Sequence, residues 1–282
     1  MMKAKISTYL CTDEIKTLTP GEYDWLADTL RKFNGMPSLV ELWQIMDIIW
    51  VELGCDNDST GAQIKEFYDH PVWILNSIFT EHDPESKQIR LKLADYISKL
   101  APLRVLDFGG GGGALAKAIA HADQKVQIDV LEPYPRQLYI EQLARYSNIR
   151  YVSKPQGMYD LIVSTDAFEH IPDPLSSLFK LLSCLKTSGF LLTAQGFIPS
   201  IKCHLKDSLH LHHSWEPCLN ALGLPTKDHV LYGYCFGSPK KLDIVSARRI
   251  ETISRFAWVV TKYMPARLTR PTFSLLHSFL SR

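Results

Sequence analysis

The sequence predicts an α/β protein: a doubly wound, mostly parallel sheet covered by helices, with a helical extension before it and a helical tail after it. Three observations lead there. From Pro102 onward, short apolar runs alternate with amphipathic segments, the order that builds parallel strands joined by crossover helices. One of those runs passes directly into five glycines, Gly109–Gly113, and then opens a helix. Before about Leu100 and after about Ser238, by contrast, apolar residues recur at helical spacing.

In the extension, residues 1–101, Leu39, Leu42, Ile45, Met46, Ile49 and Trp50 mark one helix. Ile89, Leu91, Leu93, Ala94, Ile97 and Leu100 mark another, with Asp83-Pro84-Glu85 as its cap. Phe67–Phe79 is aromatic-rich and interrupted by Pro71, which predicts two short helices. Its Tyr68, Trp73 and Phe79, with His82 just beyond, are candidates for a substrate lid or for plain helix packing.

In the core, residues 102–247, strands are expected at Arg104–Phe108, Val126–Leu131, Ile149–Val152, Leu161–Ser164 and Phe190–Thr193. Helices are expected at Leu115–His121, Arg136–Tyr146, Pro174–Lys186 and Trp215–Leu222, the last ending at Gly223. Pro133, Pro135, Pro172 and Pro174 punctuate the turns.

The tail, residues 248–282, reads as a basic amphipathic helix. Ile250, Ile253, Phe256, Ala257, Val260 and Met264 form its expected apolar stripe. After Ser238, nine Lys/Arg stand against only Asp243 and Glu251. Such a segment serves as a cover on the core, a homodimer contact, or an element lying on an anionic membrane surface.

Composition narrows the function classes. The chain has 282 residues, 46% hydrophobic and 22% charged, as an ordinary globular protein does. A formal charge of +1 gives no footprint for nucleic acid, which is not among the expected partners. The six cysteines are scattered, so neither a disulfide framework nor a structural zinc site is expected, and a reducing cytoplasm fits. Met1–Thr12 mixes lysines with polar residues, so no secretory leader is expected, and no apolar run is long enough to span a bilayer.

The glycines carry the first functional signal. A strand ending in glycine lets backbone approach a ligand closely, and the helix N-terminus beyond it offers unpaired amides. Asp107, just before the glycines, is placed to receive a cationic amino group or to order the loop. Glu132 ends the next strand, where a βαβ unit sets an acid for ribose hydroxyls. Val105–Gly113 reads V-L-D-F-G-G-G-G-G and resembles the first motif of class I S-adenosylmethionine-dependent methyltransferases. The resemblance implies a Rossmann-like sheet of seven strands and assigns cofactor binding to Asp107, Gly109, Gly111, Gly113 and Glu132. The family's seventh strand, an antiparallel edge, would fall near Lys241–Ser246, a segment that equally suits the start of the tail helix.

A second motif is denser. Tyr159–Pro174 reads Y-D-L-I-V-S-T-D-A-F-E-H-I-P-D-P, about fifty residues after the first glycine. It is similar to the fourth-strand motif of the ubiquinone- and menaquinone-methylase-like branch. The resemblance points to Asp166, Glu169 and His170 as catalytic candidates, with Thr165 beside the cofactor. In a helical turn these three would share a face. Glu169 and His170 then brace the cofactor loop, or His170 acts as general base. Some relatives bind a divalent ion through a Glu-x-x-Glu-His version. Here the first acid is the shorter Asp166, so no metal is expected; Asp166, Glu169 and His170 are the ligand set if one binds. A missing ligand would then be sought among His204, His210, His212 and His213. Family members often carry an adenine-contacting acid after the third strand, which this chain lacks; Ser153 and backbone amides stand in its place.

These readings imply a methyltransferase using S-adenosyl-L-methionine, releasing S-adenosyl-L-homocysteine, and acting on a small molecule at oxygen, nitrogen or carbon. Two alternatives stay open. Gly109-x-Gly111-x-x-Ala114 also satisfies the pattern of a nicotinamide oxidoreductase, and a cofactor-binding scaffold without turnover would show the same turn.

Overall fold

A computed structural model describes residues 5–57 and 61–261. The chain divides into two compact units, Met1–Gln156 with Ser200–Cys203, and Gly157–Pro199 with His204–Arg282.

The first unit begins with α1 (Thr12–Lys16), α2 (Pro20–Lys32), α3 (Leu39–Glu52), α4 (Ala62–Tyr68), α5 (Val72–His82) and α6 (Pro84–Leu100). The caps explain several of these boundaries. Thr19 and Ser38 form capping boxes with Glu22 and Glu41, and Asp83 accepts from Ser86 N ahead of Pro84. Pro71 separates α4 from α5 as the sequence predicts, each with its own buried side. Leu26, Leu42, Met46, Trp50, Phe67 and Leu75 form the core of this helical layer. The layer continues onto Leu138 and Tyr139 of the sheet-bearing part of the same unit.

That part comprises β1 (Arg104–Phe108), α7 (Ala114–Ala122), β2 (Gln127–Leu131), α8 (Gln137–Leu143) and β3 (Ile149–Val152). β1 pairs in parallel with β2, and β2 with β3. β1 and β2 are buried at their centres, the pattern of strands covered on both faces, whereas β3 has Arg150 exposed.

The second unit holds β4 (Tyr159–Thr165), α9 (Pro174–Leu181), β5 (Leu185–Ala194), α10 (Trp215–Leu222), β6 (Thr226–Val230), β7 (Gly233–Gly237) and α11 (Ile244–Thr261). β4 and β5 run parallel; β7 is antiparallel to both β5 and β6. The sheet has seven strands in the order β3-β2-β1-β4-β5-β7-β6.

Two expectations are corrected here. The antiparallel strand beside β5 is Gly233–Gly237, not Lys241–Ser246, because β6 and β7 close a tight hairpin with Leu231 left-handed at φ 55°. Asp243 instead caps α11, accepting from Ser246 N. The tail stripe is also different. α11 buries Ala247, Glu251, Ser254 and Ala257, while Phe256 and Val260 face outward. Small side chains let α11 lie close, and Ser254 Oγ donates to the His210 carbonyl at 2.7 Å. Met264 and the rest of the tail beyond Thr261 lie outside the described residues.

Candidate functional site

The glycine turn sits in the first unit. Gly109 N donates to the Leu131 carbonyl at 2.8 Å, extending the ladder of β1 and β2 by one residue before the chain turns away. Gly109, Gly111 and Gly113 have φ of 71°, 52° and 75°, the left-handed region that a side chain resists. Gly110 is fixed by lack of space: a Cβ there would lie 2.6 Å from Asp107 Oδ2 and 2.8 Å from Val130 Cγ1. Five glycines are therefore not mere flexibility. The turn is folded tightly against its own strand.

Asp107 is fully buried, and neither carboxylate oxygen has a hydrogen-bond partner. Burial, and then the charge of Glu132, push its pKa up to about 7; the Arg90 guanidinium on α6 opposes them. Glu132 lies two residues from Tyr134 N, which donates to its Oε1 at 3.1 Å, and Gly111 N donates to Oε2 at 3.1 Å. Burial raises the pKa of Glu132, while these two amides hold it down. The strand-end acid thus touches the glycine turn.

Residues without a sequence motif surround this turn. Tyr151 on β3 donates its hydroxyl to the Gly111 carbonyl at 2.6 Å. A Cβ on Gly112 would meet Ser77 Oγ at 2.6 Å, so α5 closes directly over the turn. Of the lid candidates, Tyr68 stacks on Tyr134 at 5.3 Å and on Trp73 at 5.0 Å, Phe79 is buried, and His82 Nε2 meets the Tyr9 carbonyl at 3.2 Å. Arg90 and Tyr151 escape a motif search because their relevance comes only from folding. Ser153 is exposed after β3.

The second cluster lies in the second unit. Thr165 ends β4 half-buried, and Asp166 follows with φ 50°, its N donating to the Ala194 carbonyl at 2.8 Å. The following residues form a 3-10 turn, Phe168–His170, which Asp166 precedes. Gln195 shapes this turn from the end of β5: its Oε1 accepts from Ala167 N and Phe168 N, both at 2.9 Å, and its amide donates to the Ser164 carbonyl. A polar residue and a glycine directly after a buried strand, Gln195-Gly196, were the available signal.

Glu169 is fully buried. Its Oε1 accepts from Gly196 N at 2.7 Å, and its Oε2 has no partner. Burial, and then the charge of Asp166, raise its pKa to about 8. Glu169, His170 and His204 each offer a ligand atom within 4.8 Å of the others. His204 Nδ1 meets the Ile198 carbonyl at 2.6 Å, which assigns the proton to Nδ1 and the ring lone pair to Nε2. Asp166 turns elsewhere, its Oδ2 accepting from Tyr232 at 2.8 Å. So the structure joins Glu169 and His170 to one of the four downstream histidines. His210 is instead buried 3.5 Å from Glu251, and His212 stacks edge-on with His213.

Comparison with known proteins adds four findings. A family model described as a methyltransferase domain matches residues 80–226, just over half of the chain. A ubiquinone biosynthesis O-methyltransferase of Thiobacillus denitrificans is 30% identical over 144 residues, 46% of this chain and 60% of that protein. One of Aromatoleum aromaticum is 27% identical over 182 residues, 61% of this chain and 75% of that protein. The chain therefore spans about three fifths of the first relative's length. The structure of an O-methyltransferase family protein from Burkholderia thailandensis superposes with a TM-score of 0.51 at 12% identity, covering 71% of each chain, a likeness of fold.

Proposed function

The chain belongs to the methyltransferase-domain family, S-adenosylmethionine-dependent enzymes of class I, and on that premise we propose that it methylates a hydroxyl of a small molecule. The observation that carries this reading is the buried, partnerless carboxylate of Asp107 beside the glycine turn that Glu132 touches. An unpaired buried carboxylate costs several kcal/mol, so it marks a place where a cation belongs. S-Adenosylmethionine brings an electrophilic methyl group on sulfur, and the rest falls to the protein. Asp107 holds the cofactor's ammonium and Arg90 its carboxylate. Glu132 accepts from the ribose hydroxyls, and Gly109, Gly111 and Gly113 give the backbone its close approach. Ser153, after β3 in the same unit, would complete the cofactor's surroundings. Asp166, Glu169 and His170 serve the acceptor, whose attack gains chiefly from being held in line.

Acceptance at oxygen is supported by the names of the relatives and by the chemistry of the second cluster. A hydroxyl needs to lose its proton during transfer, and His170 is the base within that cluster. A specific observation favours a second reading as well. The partnerless Glu169 Oε2, together with His170 and the tautomer-fixed His204, suits a divalent cation. Glu169, His170 and His204 would hold it, and it would lower the pKa of the acceptor hydroxyl.

Calorimetry against S-adenosylhomocysteine and NAD tests the first reading. Binding of the former alone is expected; NAD binding alone would make the chain an oxidoreductase. Incubating enzyme and labelled cofactor with a metabolite extract tests turnover by a +14 Da shift, and cofactor binding without any shift would favour a scaffold. Titrating Mn²⁺ by electron paramagnetic resonance tests the cation: binding by the wild type and its loss in His204→Ala are expected.

A further inference from the structure

Helix α11 presents a face that the packing of its own unit leaves uncovered. Its buried side is Ala247, Glu251, Ser254 and Ala257. Opposite them, three and four residues apart, stand Val245, Arg249, Thr252, Phe256, Val259 and Val260, with Arg255 at the margin. Val245 is 61% exposed and Phe256 and Val259 are 58% exposed, values that a helix packed in a globular interior does not show for such residues.

The charge on this face is one-sided. After Ser238 the chain has two acids, and both are occupied internally. Asp243 caps the helix, accepting from Ser246 N at 3.0 Å and Ser246 Oγ at 2.7 Å. Glu251 is buried, which pushes its pKa up, but His210, Arg248 and Arg255 outweigh burial and bring it to about 2. It is ionised and neutralised in place. What the helix shows outward is apolar and cationic.

We propose that this face of α11 docks on an anionic lipid surface, with Val245, Phe256, Val259 and Val260 entering the boundary between headgroups and acyl chains. Arg249 then faces lipid phosphates, while Arg255 stays paired with Glu251 at 3.1 Å at the margin of the face. The apolar contribution of one phenylalanine and three valines is modest and reversible, and Arg249, with no acid on the same face, supplies the preference for negative charge. A second copy of the chain fits less well. An isologous contact would bury each copy's Arg249 against a face that carries no acid to pair with it.

The test is flotation of the full chain with vesicles of phosphatidylcholine alone and of phosphatidylcholine mixed with phosphatidylglycerol. Binding to the mixed vesicles, about tenfold weaker on phosphatidylcholine and weakened by salt, is expected. Phe256→Asp and Arg249→Glu should each lower binding about tenfold while affinity for S-adenosylhomocysteine stays unchanged, which reports an intact fold. Three results would overturn the proposal. They are no binding by the wild type, binding indifferent to both substitutions, or a dimer in light scattering that Phe256→Asp dissociates while vesicle binding persists.

Discussion

Asp107 and Glu169 invite comparison because they are the same kind of group in two different settings. Each is a buried carboxylate with an oxygen that no protein donor reaches, and each is pushed toward neutral pH, to about 7 and about 8. In each case burial is the larger cause and a second acid the next, Glu132 for one and Asp166 for the other. The surroundings differ. Asp107 has glycine backbone and the Arg90 guanidinium nearby, a setting for a small zwitterion. Glu169 has two imidazoles, a setting for a proton or a metal ion. Burial alone thus does not name a function; the partners that stop short of each carboxylate do.

The sharpest way to break the pairing is to remove one charge at a time. Glu169→Gln should cut turnover by about three orders of magnitude, within the range for disabling the acid–base cluster in which His170 takes the acceptor proton. Its affinity for S-adenosylhomocysteine should stay within about twofold. Asp107→Asn should do the reverse, weakening that affinity by about a hundredfold, since charge-assisted hydrogen bonds are worth about 1.5–3 kcal/mol each. Isothermal calorimetry and initial rates separate the two. If Glu169→Gln abolished cofactor binding, the division of labour would be wrong.

Proton linkage gives the next largest effect. With its pKa near 7 in the free protein, Asp107 is mostly protonated below that pH and must lose its proton to meet an ammonium. Affinity for S-adenosylhomocysteine should therefore fall about tenfold per pH unit below 7 and level off above it. Stability runs the other way. A carboxyl whose folded pKa is raised favours the fold at acid pH, and that contribution is lost as pH rises from about 4 through 7. The free protein should thus gain stability over Asp107→Asn on acidification, and a pH series of thermal melts of both proteins measures the difference. A flat affinity profile between pH 5 and 8 would remove Asp107 from the ammonium site.

Those two carboxylates also mark what the sequence made legible. Asp107 and Glu132 could be located because everything around them is local: a strand, five glycines, a helix and the next strand end. The parallel strands were legible for the same reason, since burial on both faces writes short continuous apolar runs. The second cluster was half visible. Asp166, Glu169 and His170 stand in one motif, but a helical reading put all three on one face, whereas Asp166 is left-handed and bonded to Tyr232. Which of four histidines joins Glu169 depends on a loop whose path no periodicity encodes. The tail misled for a related reason. Hydrophobicity predicted Phe256 and Val260 inside, but a helix seated on small residues and a buried ion pair turns its larger apolar side chains outward.

Gly196 tests how finely the second cluster is fitted. A Cβ there would stand 3.0 Å from Glu169 Oε1, tight enough to displace the carboxylate by a few tenths of an ångström. Gly196→Ala should lower turnover about tenfold with little change in cofactor affinity, in keeping with the sensitivity of transfer to small misplacements. Equal losses in both would mean that the strand end, and not the carboxylate, had moved.

The smallest effect probes the turn that the sequence displayed most openly. Tyr151 reaches from β3 to the Gly111 carbonyl at 2.6 Å, and burial holds its hydroxyl well above the ordinary tyrosine range, so it donates at every accessible pH. Tyr151→Phe leaves the ring in place and removes one hydrogen bond, a net contribution of about 1 kcal/mol. If that bond orders the turn for its ligand, affinity for S-adenosylhomocysteine should fall about fivefold and the loss should be the same at pH 6 and pH 8. If the bond only supports the fold, the melting temperature should fall and affinity should not. The glycine turn would then be rigid on its own backbone geometry, which three left-handed residues make a real alternative.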